Sequence, residues 1–514
     1  METADRPSDD SSAPPAAAYP RWILLEYRDE GSDDPDAKTV AHARTSKGHP
    51  ISVSFVLAAP PASSRLRLHS PHLPVGANIS SYAVAAYGDS VLVNIVTRTN
   101  SWDNDEVSDY FLYCAGNAAA DPSRPPSLSM LPPCYLTEQE EGKPKAKRFI
   151  DSDGTAIFHL GQDEVLVAAL DSDVKVREKS VLEAELCVLR SNDWQWELKR
   201  LPIIYHEGKR QEVCCWWTDR VITVRNRFLL WVDCYRGIIF YDLWHETPEL
   251  HYVSLPVKPN PKRKTSRDGS SYRSICATNG GCMVMFVEVC PRCCCGCPGQ
   301  TACEVGCYAF TINTWMLSMD DMATWDKVGL IDCDELWSLP GYHGIVPCIR
   351  PKYPTVSLDD PDVLCFRVHK TEYDTGVDGD LGTWLIKLDT RRMVLRSIGY
   401  YDDEYYGCPE FVVSAVSRYF DATSSSFSPA RHNGNDLEAP DRPQRLNWPK
   451  VVPPEEMLAT LREIPNLSRD DMLKAYGVLV WDERQLKFRY LLTLPMDMRK
   501  DYCLSIRNLP CFDV

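Results

Sequence analysis

Short strand-like runs in groups of four constrain this chain more than any other feature. Between about Trp22 and Tyr401, apolar runs of strand length alternate with turn residues. Hardly any segment there keeps apolar residues at the 3.6-residue spacing of an amphipathic helix. We therefore predict that residues 19–419 are all-β.

Six such groups can be placed along the chain. Five are well marked, and a sixth upstream is weaker; they begin at Ser81, Thr155, Arg220, Tyr272, Thr355 and, for the weaker one, Arg21. A single four-stranded meander leaves apolar faces exposed and edges unpaired, whereas radial stacking of several meanders buries the faces. The pattern predicts a β-propeller of about six four-stranded blades, with a pair of β-sandwiches as the structural alternative.

The two ends of the chain differ from this middle region. Residues 1–18 are acidic and lack large apolar side chains, which predicts a disordered tail. Residues 420–449 are rich in Ser, Pro, Asn, Asp and Arg and are predicted to be a linker or loop. Residues 450–514 are predicted to form a small helical C-terminal element.

Two helices are expected in that C-terminal element. One covers Pro454–Arg462, and the other follows an N-cap at Ser468 with Asp470 and Asp471 in its first turn. Their apolar side chains, expected to be too few for a core of their own, are Met457, Leu461, Met472, Leu473, Tyr476 and Leu479. They must cover the outside of the propeller, which is the favoured interpretation, or a second protein.

Charge and hydropathy narrow the classes of partner. The 514-residue chain carries a formal net charge of −16, which argues against a general nucleic-acid binder and against anionic membranes. No apolar stretch is long enough for a membrane helix, and the N-terminus lacks the basic character of a signal peptide. We expect a soluble protein of the cytosol, with the nucleus as a further location, in which the 21 cysteines remain thiols or bind metal.

One stretch carries a family resemblance. Residues 231–243 (WVDCYRGIIFYDL) and 250–256 (LHYVSLP) closely resemble the hallmark of domain-of-unknown-function family 1618, a plant family expanded in grasses. Residues 467–476 (LSRDDMLKAY) and 494–501 (LPMDMRKD) are similar to the tail of many members. The resemblance implies a family domain over about 215–350 and a propeller resembling F-box-associated domains. It implies no activity, and we identify no F-box helix bundle at the N-terminus.

The same stretch also has a physical interpretation. Residues 228–232 and 238–243 are predicted to form a hairpin with a turn at 233–237, in which Gly237 supplies a backbone conformation that side chains resist. Asp233, Arg236 and Asp242 could serve a site, but turn and inter-blade hydrogen bonds are the favoured explanation. The signature is therefore largely a folding signature.

A cysteine cluster is the most unusual local feature. Seven thiols fall within eighteen residues, at Cys290, Cys293, Cys294, Cys295, Cys297, Cys303 and Cys307. Their C-x₂-C spacings suit a tetrahedral zinc ion, and redox-sensitive thiols are a second possibility. A long loop between two strands without chemistry is the favoured interpretation, because such loops vary freely.

Two charged segments are candidate contact sites. Five basic residues between Lys258 and Arg267, including Lys262-Arg263-Lys264, could act as a nuclear-import signal or bind an acidic partner. The acidic and aromatic segment Tyr400–Tyr406 suits a basic peptide or a cation. For both, a solvated loop or turn is the favoured interpretation.

Enzyme signatures are missing from the sequence. It contains no dinucleotide-binding, P-loop, zinc-protease or serine-hydrolase motif. His159, His206, His245 and His251 have no obvious nucleophile or carboxylate partner in the sequence, and we assign no catalytic, cofactor-binding or metal-ligating residue.

The favoured function is therefore a non-enzymatic protein-interaction module. The alternative is an enzyme with its site at the mouth of the propeller channel. Convergent titratable side chains at that mouth would favour catalysis, and an exposed apolar or aromatic patch would favour a partner.

Overall fold

The computed structural model consists mostly of β-sheet with few helices. It describes residues 19–26, 37–71, 77–98, 106–116, 123–134, 150, 153–160, 164–171, 174–176, 181–258, 272–292, 309–369, 382–401, 411–420, 454–462, 464–465, 467–480, 491, 496, 499–500 and 503–504. The predicted tail 1–18 and, apart from Phe420, the predicted linker 420–449 lie outside these residues.

Five of the six strand groups form four-stranded antiparallel meanders, in which each strand pairs with the next. Sheet II contains β5 (Asn78–Tyr87), β6 (Ser90–Arg98), β7 (Glu106–Cys114) and β8 (Ser127–Met130). Sheet III contains β9 (Thr155–His159), β10 (Val165–Leu170), β12 (Leu182–Arg190) and β13 (Trp196–Ile204), with the short β11 (Lys175–Val176) beside β12. Sheet IV contains β14 (Arg220–Val224), β15 (Phe228–Asp233), β16 (Gly237–Asp242) and β17 (Leu250–Ser254).

The remaining two meanders follow in chain order. Sheet V contains β18 (Arg273–Thr278), β19 (Met283–Pro291), β20 (Phe310–Leu317) and β21 (Trp325–Asp332). Sheet VI contains β22 (Lys352–Val356), β23 (Val363–His369), β24 (Thr383–Asp389) and β25 (Val394–Tyr401). Sheets III and IV share an edge, because the last strands β13 and β17 pair in parallel. Short helices α1 (Arg210–Cys214) and α2 (Cys333–Trp337) precede the next sheet in each case.

Sheet I differs from the simple meander expected for the weaker group. It contains β1 (Ile23–Glu26), β2 (Ala41–Arg44), β3 (Pro50–Val56), β4 (Ser63–His69) and the distant β26 (Phe411–Ser414). The strand order is β2-β3-β4-β1-β26, with β1 parallel to β4 and antiparallel to β26. The prediction of four consecutive antiparallel strands is wrong here, because β1 is taken up between β4 and a strand from the far end of the unit.

Apolar clusters lie between sheets that follow one another in the chain. Separate buried clusters join sheets I and II, II and III, III and IV, IV and V, and V and VI. A smaller cluster joins sheet VI back to sheet I, where Cys365 meets Trp22 and Leu24. The first strand of each sheet from II to V also contacts the first strand of the next sheet, and β26 contacts β5.

The Trp231 hairpin is confirmed as a buried core element. Strands β15 and β16 pair antiparallel from Phe228–Asp242 to Asp233–Gly237, and Trp231 is 0% exposed. Its Nε1 donates a hydrogen bond to the Gly154 carbonyl of the preceding sheet at 2.8 Å. The predicted reason for Gly237 is wrong: a Cβ there would lie 2.2 Å from the Val253 carbonyl oxygen, so close approach of β17 excludes a side chain.

The C-terminal part, residues 429–514, is a compact unit separate from residues 1–428. Helices α3 (Pro454–Arg462) and α4 (Arg469–Val480) lie where the sequence predicts them. Ser468 is the N-cap, since its Oγ accepts from the backbone N–H of Asp471 at 3.1 Å. No helix among the described residues is long and apolar enough to cross a membrane.

This unit has a small core of its own, which corrects the expectation that its apolar residues are too few for one. The fully buried members are Met457, Leu461, Ile464, Ala475, Leu479, Leu491 and Cys503, with Met472 and Tyr476 packed against them. Leu473, expected on the covered face, is 50% exposed. Contributions from beyond the two helices, at Ile464, Leu491 and Cys503, complete the core.

Replacing Trp231 tests the core between sheets III and IV. We expect Trp231→Ala to lower the free energy of unfolding by about 3–5 kcal/mol, the usual cost of deleting a buried aromatic side chain. Trp231→Phe keeps most of the ring and loses the hydrogen bond to Gly154, so its cost should be clearly smaller. Urea unfolding of the two variants and the natural chain measures both; equal stability of all three would contradict this packing.

Candidate functional site

The first turns of the sheets meet at one end of the unit. In an antiparallel meander the first and third turns lie at the same end. The N–H of Arg225, after β14, donates to Gly281 after β18 at 2.8 Å, and the N–H of Gly280 donates to Leu358 after β22 at 2.8 Å. These hydrogen bonds place the first turns of sheets IV, V and VI side by side.

The same chain of contacts continues through sheets I and II. Arg418, which follows β26, pairs with Asp359 after β22, and its Nε donates to the Arg21 carbonyl at 2.5 Å. Tyr87, at the end of β5, donates through its hydroxyl to Asn226 after β14. We call the linked segments 87–90, 225–227, 279–282, 358–360 and 418–419 the turn belt.

A cluster of titratable side chains forms where His159, at the end of β9, meets segment 87–90 of the turn belt. His159 Nε2 is 3.1 Å from Ser90 Oγ and 3.4 Å from Asp89 Oδ1, and Ser90 Oγ donates to Asp89 Oδ1 at 2.9 Å. The Tyr87 ring meets the His159 ring edge-on at a centroid distance of 5.5 Å. Gly88 has a φ of +59°, and a Cβ there would lie 2.9 Å from His159 Cε1. The tight turn therefore lets the imidazole pack directly on the backbone.

The titration of this cluster is governed by burial. Burial lowers the pKa of His159, and the nearby Asp89 carboxylate opposes that shift. Burial raises the pKa values of Tyr87 and Tyr419, with further increases from Tyr419 acting on Tyr87 and from Asp89 acting on Tyr419. A neutral imidazole and two neutral phenols follow at pH 7.

The geometry does not match a catalytic triad. In a triad the serine and the carboxylate contact opposite nitrogens of the histidine. Here Ser90 and Asp89 both face the same nitrogen, and Ser90 is 0% exposed, so no substrate reaches its hydroxyl. The sequence missed this cluster because Asp89 and His159 come from different sheets, seventy residues apart.

Beside the turn belt, the third turn of sheet IV presents an exposed aromatic side chain. Trp244 is 67% exposed, and its backbone N–H donates to Asp242 Oδ1 at 3.0 Å. Asp242 in turn accepts two hydrogen bonds from Arg227, at 2.8 and 2.5 Å. The Arg227 guanidinium also lies 6.0 Å from the Trp244 ring centroid. Burial raises the pKa of Asp242, but the hydrogen bonds from Arg227 and from the Trp244 N–H, together with the charge of Arg227, outweigh it and leave the pKa below its usual value.

Asp233 and Arg236 form hydrogen bonds within the hairpin turn, as predicted. The buried Asp233 accepts from the backbone N–H of Tyr235 at 2.8 Å and from Arg236 at 2.7 Å. Burial and then Asp219 raise the pKa of Asp233, and Arg236 opposes them. Tyr235 and Arg236 both belong to the turn, which accounts for the position of Asp233 in the family-like stretch.

The three other candidate histidines, His206, His245 and His251, have separate surroundings. His251 Nε2 lies 3.1 Å from Glu249, so it does have a carboxylate partner that the sequence reading did not identify. His245 contacts Thr247. His206 follows β13, at the end opposite the turn belt.

Only the first thiol of the cysteine cluster falls on described residues. Cys290 is half-buried, and burial followed by Glu288 raises its pKa. Cys293, Cys294, Cys295, Cys297, Cys303 and Cys307 lie outside the described residues, so zinc binding, redox chemistry and a plain loop all stay open. The described cysteines carry free thiols.

The charged segments are described only at their ends. Lys258 precedes residues 259–271, which lie outside the described residues and include Lys262, Arg263 and Lys264. Tyr400 is half-exposed and packs on Trp384 at 5.2 Å, while residues 402–406 lie outside the described residues. Neither contact prediction is tested.

One group of described side chains has the spacing of metal ligands. Asp332, Cys333 and Asp334 converge at the start of α2. Arg292 already lies 2.7 Å from Asp332 and 2.8 Å from Asp334. The Arg292 guanidinium neutralises the two carboxylates at the place where a metal ion would bind. This group is therefore an ion pair that holds the start of α2.

Comparisons with known proteins give a family match over part of the chain and no activity. Residues 231–365 match the model of DUF1618, described as a protein of unknown function. This match supports the DUF1618 family. It begins at Trp231 and includes the Trp244 turn. No curated protein sequence gives a significant match.

Solved structures resemble the chain only remotely. The WD40 domain of SCAP from fission yeast is 12% identical, with 72% of this chain and 78% of that chain covered and a TM-score of 0.23. A levansucrase variant from B. megaterium is 11% identical, with 76% and 94% covered and a TM-score of 0.26.

The buried His159 should make folding sensitive to acid. Because its pKa is lowered in the folded state, the unfolded chain binds more protons as the pH falls through about 6.5, and stability is lost. His159→Gln should lose less stability than the natural chain between pH 7.5 and pH 5.5, as measured by urea unfolding. His245→Gln, at an exposed histidine, is the control; an identical pH response of His159→Gln and the natural chain would contradict the prediction.

Proposed function

We propose that this protein is a non-enzymatic protein-interaction module built on a six-bladed β-propeller. Its binding surface is the end that carries the turn belt and Trp244. The observation that carries the proposal is the exposed Trp244 ring, held by a fixed arginine–carboxylate pair.

The cyclic order of the sheets supports the propeller. Six apolar clusters link the sheets in the order I to VI and back to I. Hydrogen bonds in the turn belt follow part of this order, from sheet IV to V, from V to VI and from VI to I. Strand β26 would then be the innermost strand of the last blade, followed outward by β1, β4, β3 and β2.

Trp244 has the properties of an interface anchor. Interfaces concentrate their binding free energy in Trp, Tyr and Arg side chains that are already ordered before binding. Two hydrogen bonds from Arg227 fix Asp242, and Asp242 fixes the backbone of Trp244. A partner that covers this ring would gain the apolar area without ordering the turn.

The alternative, an enzyme at the channel mouth, has less support. The cluster of Tyr87, Asp89, Ser90 and His159 is convergent and has shifted pKa values, as a catalytic site would. Its serine is buried, and both partners of the imidazole share one nitrogen, so the contacts explain a structural role in joining sheets II and III.

The remaining parts of the proposal concern origin and location. The resemblance of residues 231–243 to the family hallmark supports a plant protein with a propeller like that of F-box-associated domains. A location in the cytosol or nucleus is supported by the free thiols of the described cysteines, which persist in reducing compartments.

Replacing Trp244 tests the proposed surface. We expect Trp244→Ala to lose the partners that the natural chain captures from its tissue of origin, while stability changes by less than about 0.5 kcal/mol because the ring is exposed. The matched control is Trp217→Ala, which removes a 43% exposed tryptophan before β14, at the opposite end of the sheet. Quantitative mass spectrometry of the captured proteins compares them, and equal recovery by both variants would refute the proposed surface.

Removing β26 tests closure of the ring. A chain ending at residue 428 keeps β26, whereas a chain ending at residue 410 lacks it, and both lack the C-terminal unit. We expect the shorter chain to lose amide-exchange protection in β1 and to melt at a lower temperature, because β1 then has an unpaired edge. Equal exchange and melting of the two chains would show that β26 does not close the structure.

A further inference from the structure

Two cationic side chains share one aromatic ring at the end opposite the turn belt. The Arg350 guanidinium carbon lies 3.6 Å from the Tyr272 ring centroid, and Lys352 Nζ lies 6.0 Å from it. Tyr272 directly precedes β18, and Lys352 begins β22. Both strands run from this end towards the turn belt, so the three side chains surround the start of two adjacent first strands.

Neither cation has an acidic partner among the described residues. The carboxylate of this neighbourhood, Glu288, accepts two hydrogen bonds from Arg273, at 2.8 and 2.5 Å. Both Arg273 and Arg350 act electrostatically on the half-buried Cys290 thiol, which places them in one neighbourhood. Two uncompensated cations are notable in a chain whose net charge is −16.

The backbone around the cations is rigid. The buried Pro351 and Pro354 enclose Lys352 and Tyr353, which restricts φ on both sides. The pairing of β22 with β23 shifts register between Lys352 and Thr355, and Tyr353 has a φ of 53°. A bulge with a non-glycine residue in the left-handed region is costly and is typical of places where side chains are aimed at a ligand.

We propose that Arg350, Lys352 and Tyr272 bind a phosphate monoester on a partner peptide. The Tyr272 ring covers one face of the guanidinium and leaves its N–H edge, which is the part that binds phosphate oxygens in pairs. A phosphate monoester carries a charge of about −1.5 to −2 at pH 7 and matches two cations, whereas a carboxylate matches one. This site is separate from the Trp244 surface and does not depend on it.

Peptide binding by the full-length chain tests the proposal. The probe is a fluorescein-labelled Gly/Ser peptide with one central phosphoserine, followed by fluorescence anisotropy at fixed ionic strength. The unphosphorylated peptide and a peptide with glutamate at the central position are measured in parallel, and inorganic phosphate serves as competitor. We expect the phosphopeptide to bind at least about ten-fold more tightly than either of the other two, and phosphate to displace it.

Variants assign the binding to the three side chains. Arg350→Gln and Lys352→Gln should each weaken phosphopeptide binding by about ten-fold. The matched control is Lys327→Gln, because Lys327 also lies over an aromatic ring, 5.8 Å from the Trp315 centroid, and no second cation of the described residues lies over that ring. Thermal unfolding of each variant checks that folding is intact.

Three results would overturn the proposal. Equal affinity for the phosphorylated and unphosphorylated peptides would exclude a phosphate site. Equal affinity for the glutamate peptide would make it a carboxylate site, and an equal loss in Lys327→Gln would reduce the binding to the overall charge of the chain. Trp244→Ala should leave phosphopeptide binding unchanged, so the phosphate site and the Trp244 surface are tested independently.

Discussion

The antiparallel pairing of β26 with β1 is the interaction on which the larger unit depends. It joins Ile23 to Ser414 and so brings together the two ends of a region of nearly four hundred residues. Without it, β1 would have only its two parallel pairs with β4. The pairing also brings Arg418 within reach of Asp359 and Arg21. These contacts join residues that are far apart in sequence, so forming them costs the entropy of closing one long loop. The contacts share that single cost, which favours cooperative folding.

The two ends of the sheets differ in how their connections are built. At the turn belt the first turns are short and hydrogen-bonded to their neighbours. Three long connections, those that leave β17, β19 and β25, begin and end at the opposite end. The two ends therefore suit different kinds of binding. The turn-belt end presents side chains on short, hydrogen-bonded turns, whereas the opposite end presents long connections whose sequences can vary.

Much of the fold could be predicted because its signals are local. The alternation of apolar and polar residues located nearly every strand of sheets II to VI, and Ser468 with its following carboxylates located α4. Strand β26 was missed because four residues, Phe411–Ser414, give too short a pattern to distinguish from a loop. The uptake of β1 between β4 and β26 has no local signal at all.

The candidate sites also divide into those with local sequence signals and those without. Trp231, Asp233 and Arg236 were correctly read as hairpin residues, since all their constraints lie within one turn or its neighbours. The cluster around His159 could not be predicted, because its carboxylate and hydroxyl come from the first turn of another sheet. Trp244 gave no signal in the sequence, since its exposure depends on Arg227 and Asp242 fixing the turn below it.

The parallel pairing of β13 with β17 has a consequence for the behaviour of the protein in solution. A sheet edge with free N–H and C=O groups can recruit a strand from another molecule and start aggregation. In sheets III and IV the last strands meet each other, at Ile203–Leu250 and Ile204–His251, instead of facing water alone. Each edge therefore blocks part of the other, and these two sheets are protected against edge-to-edge association by their own neighbour.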